Sequence, residues 1–173
     1  IYAFALDRRG TTEGALVVVD MSDPDTPVEK ARFNLPAFPR DLALIPRYSV
    51  VRKAGEAAAE RTLVAVVGGL VGGSTGSQGE FTGGGQYLIL VDVTDPVAPT
   101  RFASALLTLG PSVLVPRVLW SPPFLGYIES GADLQSVGVI NLQTFALGIN
   151  TPLAEQQQFP VLGTPGVDAN GDG

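Results

Sequence analysis

The C-terminal hexapeptide comes closest to a metal site in residue type and spacing. Residues 168–173 read Asp-Ala-Asn-Gly-Asp-Gly, so oxygen-bearing side chains alternate with small residues before a final glycine. This is the first half of a DxDxDG calcium loop, whose distal carboxylate is expected beyond residue 173. Asp168, Asn170 and Asp172 are therefore candidate ligands of an incomplete calcium site, and calcium is the one cofactor suggested. A solvated acidic tail is the alternative interpretation.

Two aspartates invite comparison with a catalytic carboxylate pair. Asp20 and Asp92 each end an apolar run, and glycoside hydrolysis requires two carboxyl groups roughly 5–10 Å apart. Because the two residues occupy equivalent positions of a repeat, a turn-stabilising role is favoured. The chain contains no Cys and no His, which excludes disulfides, thiolate or imidazole metal ligands and a Ser-His-Asp relay within it.

Two further features have both a functional and a structural interpretation. The glycine-rich residues 68–85 follow an apolar run as a phosphate-binding loop would, but no Gly-Lys-Ser/Thr follows and the next element is a strand. A hairpin insertion is therefore favoured. Trp120 could stack on a sugar or peptide, although packing at a strand end is the more common role of a lone tryptophan.

The composition indicates a folded domain rich in turns. Of 173 residues, 45% are hydrophobic and 16% charged, with 21 Gly and 14 Pro. The net charge of −6 disfavours nucleic acid and anionic membrane surfaces as partners. No apolar run reaches the ~18 residues of a membrane span, so no membrane insertion is expected. The sequence starts within an apolar run and without Met, which predicts a fragment of a longer polypeptide.

An internal repeat organises the chain. Residues 16–27 align without gaps on residues 88–99 with six of twelve positions identical, and residues 137–142 form a weaker copy. Each strong copy is an apolar run of strand length stopped by Asp-Pro. We expect Asp23 and Asp95 to accept backbone amide hydrogen bonds in the turn, where Pro24 and Pro96 fix φ.

The strand pattern predicts an all-β, propeller-like fold of antiparallel, four-stranded blades. Residues 1–150 divide into approximately 1–36, 37–109 and 110–150, two complete blades and one without its first strand. Residues 151–167 are predicted as a linker and 168–173 as the start of a calcium-loop-like spacer. The predicted strands span residues 2–6, 15–21 and 28–35; then 41–45, 62–67, 87–93 and 100–107; then 112–119, 124–129, 136–142 and 144–149.

The two repeat cores identify a related family. Leu-Val-Val-Val-Asp and Leu-Ile-Leu-Val-Asp, each followed by Ser/Thr-Asp-Pro-x-x-Pro, resemble the LVIVD repeat of β-propellers in large bacterial and archaeal surface proteins. The resemblance covers about residues 1–150. It implies a piece of a larger propeller, at the cell surface or outside the cell, and it carries over no catalytic residue.

The expected function is a non-catalytic scaffold, adhesion or interaction module. Two alternatives stay open: part of a calcium-dependent propeller hydrolase with its catalytic residues outside this fragment, or a subunit of an extracellular homopolymeric filament. The expected partners are the rest of a longer polypeptide or neighbouring copies, which would also supply a strand beside residues 2–6. A protein or carbohydrate ligand stays open.

Blades bury both faces, so burial is expected on both sides of the repeat cores. The residues predicted to be buried on one side are Leu16, Val18, Leu88, Leu90 and Val139. Those predicted to be buried on the other side are Val17, Val19, Ile89 and Val91.

Overall fold

The computed structural model describes residues 1–9, 13–36, 38–50, 57–70, 85–109, 117–130, 135–142 and 157–160. Every regular element in these ranges is a β-strand, which confirms the all-β prediction. The strands are β1 (Tyr2–Arg9), β2 (Glu13–Asp20), β3 (Val28–Pro36), β4 (Pro39–Val50), β5 (Ala59–Leu70), β6 (Gly85–Asp92), β7 (Thr100–Leu109), β8 (Arg117–Ser121), β9 (Phe124–Ser130), β10 (Gln135–Asn141) and β11 (Gln157–Pro160).

These strands form three antiparallel sheets in chain order. The first sheet is β1-β2-β3, the middle sheet β4-β5-β6-β7 and the third sheet β8-β9-β10-β11. Each strand pairs with the next one along the chain, which is the arrangement within a propeller blade. The predicted blade-type architecture is therefore confirmed.

The middle sheet lies between the other two and buries both of its faces. One face of β5 and β6 contributes Leu63, Ala65, Val67, Leu88 and Leu90 to a core shared with the third sheet. The opposite face contributes Val64, Val66, Ile89 and Val91 to a core shared with the first sheet. Burial on both sides explains why these strands are continuous apolar runs and lack the polar alternation of a half-exposed strand.

The predicted burial of the repeat cores is confirmed at seven of nine positions. Leu16, Val18, Leu88, Leu90, Val17, Ile89 and Val91 are all buried. Val19 and Val139 are only half-buried. Both lie on outward faces, since Val19 shares a face with Val17 on the first sheet and Val139 pairs with Gly126 on the third. No described sheet covers either face; Val17, which stands opposite Arg32 of β3, is nevertheless only 8% exposed.

The third sheet differs from the sequence prediction at its fourth strand. Residues 157–160 lie within the segment predicted as a linker, beyond the predicted blade boundary at 150, yet they form β11 and pair with β10. Pairing satisfies backbone N–H and C=O groups along an otherwise open edge of β10, a stabilisation that does not depend on an apolar pattern. The predicted strand at 144–149 lies outside the described residues.

Candidate functional site

The residue that ends each strong repeat core caps the turn that follows. Asp20 Oδ1 accepts a hydrogen bond from the Ser22 N–H at 2.9 Å. Asp92 Oδ1 accepts one from the Thr94 N–H, also at 2.9 Å. The two turns are therefore built in the same way, each by a carboxylate that reaches the amide two residues ahead.

The second aspartate of each turn repeats the arrangement. Asp23 Oδ1 accepts from the Asp25 N–H at 3.1 Å, and Asp95 Oδ1 accepts from the Val97 N–H at 3.1 Å. Backbone bonds close both turns: the Asp23 carbonyl accepts from Thr26 at 3.3 Å, and its counterpart in the second copy from the equivalent alanine at 3.2 Å.

Pro24 and Pro96 are the first central residues of these turns, where the proline ring presets the required φ. The four residues predicted to organise the turns thus lie together in two matching pairs. In both copies the aspartate side chains accept hydrogen bonds from backbone amides of their own turn.

Hydrogen bonding also changes the acidity of two turn carboxylates. The Ser22 hydroxyl and amide hold the pKa of Asp20 below its usual value, and the Thr26 hydroxyl does the same for the pKa of Asp23. The Thr26 Oγ1 donates to Asp23 Oδ2 at 2.6 Å. Both interactions favour the ionised form, so the first turn is strongest when its two carboxylates carry charge.

Acid is therefore expected to weaken the first turn. The folded-state pKa of each carboxylate lies below its unfolded value, so the contribution is complete above about pH 4 and is lost as the pH falls further. Melting temperatures measured from pH 7 to about pH 2 should decline less steeply for an Asp20→Asn, Asp23→Asn double variant than for the unchanged chain. Identical pH profiles would show that these bonds do not contribute to stability.

Asp92 makes a second contact that joins two strands of the middle sheet. Its Oδ2 lies 2.5 Å from Arg61 Nη1, and the carboxylate side chain is only 10% exposed. Asp20 lies 3.5 Å from Lys30 Nζ in a more exposed pair. Each carboxylate is thus bound to its own turn and its own cation, in a different sheet, and the structure does not bring the two aspartates together as one site.

Replacing Asp92 with alanine is expected to cost about 1–3 kcal/mol, because it leaves the Arg61 guanidinium and the Thr94 amide without their acceptor. Asp92→Asn should cost less, since the amide oxygen can still accept from Thr94. Asparagine stands at the equivalent position 141 of the weak copy. Urea unfolding of both variants measures the difference, and equal losses would mean that the turn acceptor is without measurable effect.

A backbone hydrogen bond recurs in all three sheets and defines their common register. The N–H that follows the last residue of the repeat core donates to the carbonyl of the residue just before that last residue's partner on the preceding strand. The pairs are Met21 to Ile1 at 2.8 Å, Val93 to Thr62 at 2.9 Å and Leu142 to Pro123 at 3.1 Å. The weak copy at residues 137–142 therefore occupies the same structural position as the two strong copies.

Polar contacts also join neighbouring sheets. The buried Tyr87 hydroxyl donates to the Pro36 carbonyl at 3.3 Å, and the Arg8 Nε donates to the Pro39 carbonyl at 3.0 Å. Burial raises the pKa of the Tyr87 phenol, which keeps it protonated as a donor. Asp41 Oδ2 in turn accepts from the backbone N–H of Val118 at 3.1 Å, linking the middle and third sheets.

Sequence reasoning did not single out Arg61 or Tyr87. Arg61 lies within β5 and Tyr87 within β6, and neither belongs to a motif, so only the contacts that they make across strands and sheets show their role.

Trp120 has a packing role. Its ring meets Tyr48 edge to face, with centroids 4.9 Å apart and planes at 79°, and it packs against the core between the middle and third sheets. The neighbouring Leu119 and Phe124 are 70% and 47% exposed on the outward face of the third sheet. The exposed apolar surface in this region thus belongs to Leu119 and Phe124.

The predicted calcium ligands Asp168, Asn170 and Asp172 lie outside the described residues, as does most of the glycine-rich segment. Among the residues that are described, no three carboxylates cluster in a way that could hold a metal ion. Within the same ranges, no helix has the length and hydropathy needed to cross a membrane.

Comparison with protein-family models matches residues 10–35 to the LVIVD repeat. The matched segment contains β2, the Ser-Asp-Pro turn and nearly all of β3, and β2 and β3 pair antiparallel as a hairpin. Neither the curated proteins nor the solved structures give a significant match. With the repeated turn, the common register and the blade-type sheets, this match identifies residues 10–35 as an LVIVD repeat in an all-β, β-propeller-type module.

Proposed function

We propose that the chain is a non-catalytic scaffold or interaction module of an extracellular or surface-anchored prokaryotic protein. The observation that carries the proposal is the LVIVD repeat at residues 10–35, set in a stack of blade-type sheets. Asp20 of this repeat and Asp92 of the second copy each bind a turn amide and a cross-strand cation. These bonds make the turns rigid, because each aspartate carboxylate fixes the position of a strand end.

The stacked sheets suit the display of a binding surface. The middle sheet shares one core with the first sheet and another with the third, so the relative positions of the three sheets are held by packing on both sides. Loops and turns at the sheet ends then have a rigid support, which is how β-rich folds commonly present contacts to a protein or carbohydrate ligand.

Immunolabelling of the producing cells tests the location. Antibodies raised against the purified chain should label intact cells, and the signal should disappear after mild protease treatment of those cells. A cytoplasmic marker labelled only after permeabilisation is the control. Labelling of this chain only after permeabilisation would overturn a surface or extracellular role.

A filament subunit is the second candidate, and one observation favours it. Leu119 and Phe124 are exposed on the outward face of the third sheet, where the atom nearest to a Cβ added at Gly126 is the Leu119 carbonyl oxygen, 3.9 Å away. Apolar surface at the end of a stack favours contact with another copy. Light scattering of the purified chain should then show a mass that increases with concentration. Leu119→Lys should reduce the increase, while lysine at the exposed turn residue Val97 should not.

A further inference from the structure

Two arginines lie together where the first and middle sheets meet, at the end of these sheets opposite the Asp-Pro turns. Arg8 lies near the end of β1, and its Nε donates a hydrogen bond to the Pro39 carbonyl at 3.0 Å. Arg40 follows Pro39 directly at the start of β4. The Arg8 guanidinium therefore contacts the peptide group that joins Pro39 to Arg40.

Both side chains belong to the junction between these two sheets. Arg8 is on the same face of β1 as Phe4 and Leu6, which pack against the core shared with the middle sheet, because side chains alternate along a strand. Burial raises the pKa of the Tyr87 phenol, and the charge of Arg40 opposes that rise, so Arg40 lies close to Tyr87 of the same core. The two guanidinium groups thus lie at one end of a single core.

The backbone around Arg40 has two irregularities that place its side chain. Phe38 has a φ of 55°, in the left-handed region that bulky residues rarely adopt. The pairing of β4 with β5 shifts its register between Pro39 and Asp41, so Arg40 is the extra residue of a bulge, a feature that redirects side chains. The Arg40 guanidinium carbon lies 5.6 Å from the centroid of the Phe38 ring, within the range of a cation–π contact.

Neither guanidinium group has a carboxylate partner among the described residues, since Arg8 binds a carbonyl and Arg40 contacts a ring. Asp41, the acid next to Arg40 in the sequence, is turned toward the third sheet, where it accepts from the Val118 N–H. Four other arginines lie 3.9 Å or less from a carboxylate oxygen: Arg32, Arg47, Arg61 and Arg117. No described carboxylate therefore neutralises the two positive charges at this junction.

This pair of arginines is suited to bind an oxyanion. The guanidinium donors form a planar fork that matches two oxygens of a carboxylate or phosphate. Arg8 is exposed and Arg40 half-buried, so a group from solution can reach them. The Pro39 carbonyl and the Phe38 ring hold the two side chains in place before a ligand arrives, which reduces the conformational entropy lost on binding. The chain as a whole carries a net charge of −6, so the attraction must come from these local donors.

We propose that Arg8 and Arg40 form a binding site for one oxyanion group, a carboxylate or a phosphate, of a ligand from solution. Both guanidinium groups donate hydrogen bonds to its oxygens. The Pro39 carbonyl positions Arg8, and the Phe38 ring positions Arg40. The site is independent of where in the cell the chain is located and of contact between copies through Leu119, because neither involves these arginines.

Nuclear magnetic resonance of the isotope-labelled 173-residue chain tests the site. Inorganic phosphate and a capped tetraglutamate peptide are added in separate titrations, and the Arg8 Nε–H and the Arg40 backbone N–H are followed. At least one probe should shift both signals and approach saturation by about 10 mM, and the probe that does so identifies the oxyanion as phosphate or carboxylate. Sodium chloride at the same ionic strength is the control and should shift neither signal.

Substitutions separate this site from general attraction to positive charge. Arg8→Gln and Arg40→Gln should each weaken binding at least about tenfold, because each removes one guanidinium fork. Arg47→Gln is the matched control and should change binding less than about twofold, since its side chain is 85% exposed beside Glu60, toward the other end of β4. If circular dichroism shows Arg8→Gln to be unfolded, Arg8→Lys replaces it. Lysine can still donate to the Pro39 carbonyl but lacks the fork, so binding should weaken at least about threefold.

Several results would overturn the proposal. One is the absence of a shift with either probe, which is expected if a carboxylate of the chain itself fills the site. Another is an equal shift with sodium chloride, which would show an effect of ionic strength alone. Shifts confined to one of the two arginines, or equal weakening by the Arg40 and Arg47 variants, would show that the two side chains do not bind one group together.

Discussion

Replacing Leu90 with alanine is expected to lower the free energy of unfolding by about 2–5 kcal/mol, the usual cost of deleting a buried leucine side chain. Leu90 is fully buried on the face of β6 that meets the third sheet, in a cluster with Leu63, Phe102 and Leu125. The truncation removes apolar contacts and leaves a cavity between two sheets that backbone pairing holds in place, so the surrounding structure can relax only partly.

The matched control is Leu119→Ala. Leu119 is 70% exposed, and its truncation should change stability by no more than about 0.5 kcal/mol. Urea unfolding at pH 7 measures both variants under the same conditions. Similar effects of the two substitutions would contradict the placement of the Leu90 face inside the core.

Adding one methyl group at Gly68 is expected to cost about 1–3 kcal/mol or more, as overpacking of a close interface typically does. A Cβ at Gly68 would lie 2.6 Å from the Phe38 carbonyl oxygen and closer still to the Tyr87 ring and hydroxyl. Tyr87 is fully buried and anchored to the Pro36 carbonyl, so its ring cannot swing into solvent. The strain must therefore be taken up by the backbone or by loss of that hydrogen bond.

A double-mutant cycle tests the cause. Gly68→Ala should lower the free energy of unfolding by less in a Tyr87→Leu background, because the added methyl group no longer clashes with the Tyr87 ring. The loss that remains is due to the clash with the Phe38 carbonyl oxygen. Thermal unfolding of the unchanged chain, the two single variants and the double variant gives the coupling free energy between positions 68 and 87. Additive effects would show that Tyr87 is not the group that excludes a side chain at Gly68.

Local sequence determined the strands and turns of the two strong repeats. Runs such as residues 16–20 and 88–92 are apolar and largely β-branched or aliphatic, and the following Asp-Pro cannot continue a ladder, so strand and turn follow from short-range sterics and hydrogen bonding. The hydrogen bonds of Asp23 and Asp95 span two or three residues and are readable for the same reason. Burial of both strand faces was also readable, because these runs lack polar alternation.

Only the tertiary structure decided features that depend on residues far apart in the chain. β11 forms at residues 157–160 because β10 offers an edge, although this segment carries no strand periodicity. Arg61 meets Asp92 across 31 positions, and Tyr87 meets Pro36 across 51.

The partial exposure of Val19 and Val139 has the same origin. Their equivalents in the middle sheet, Val91 and Leu90, are also aliphatic and are fully buried, because a neighbouring sheet lies against each face of the middle sheet. Side-chain type determines which residues gain free energy from leaving water, but the stacking of the sheets determines which of them do so.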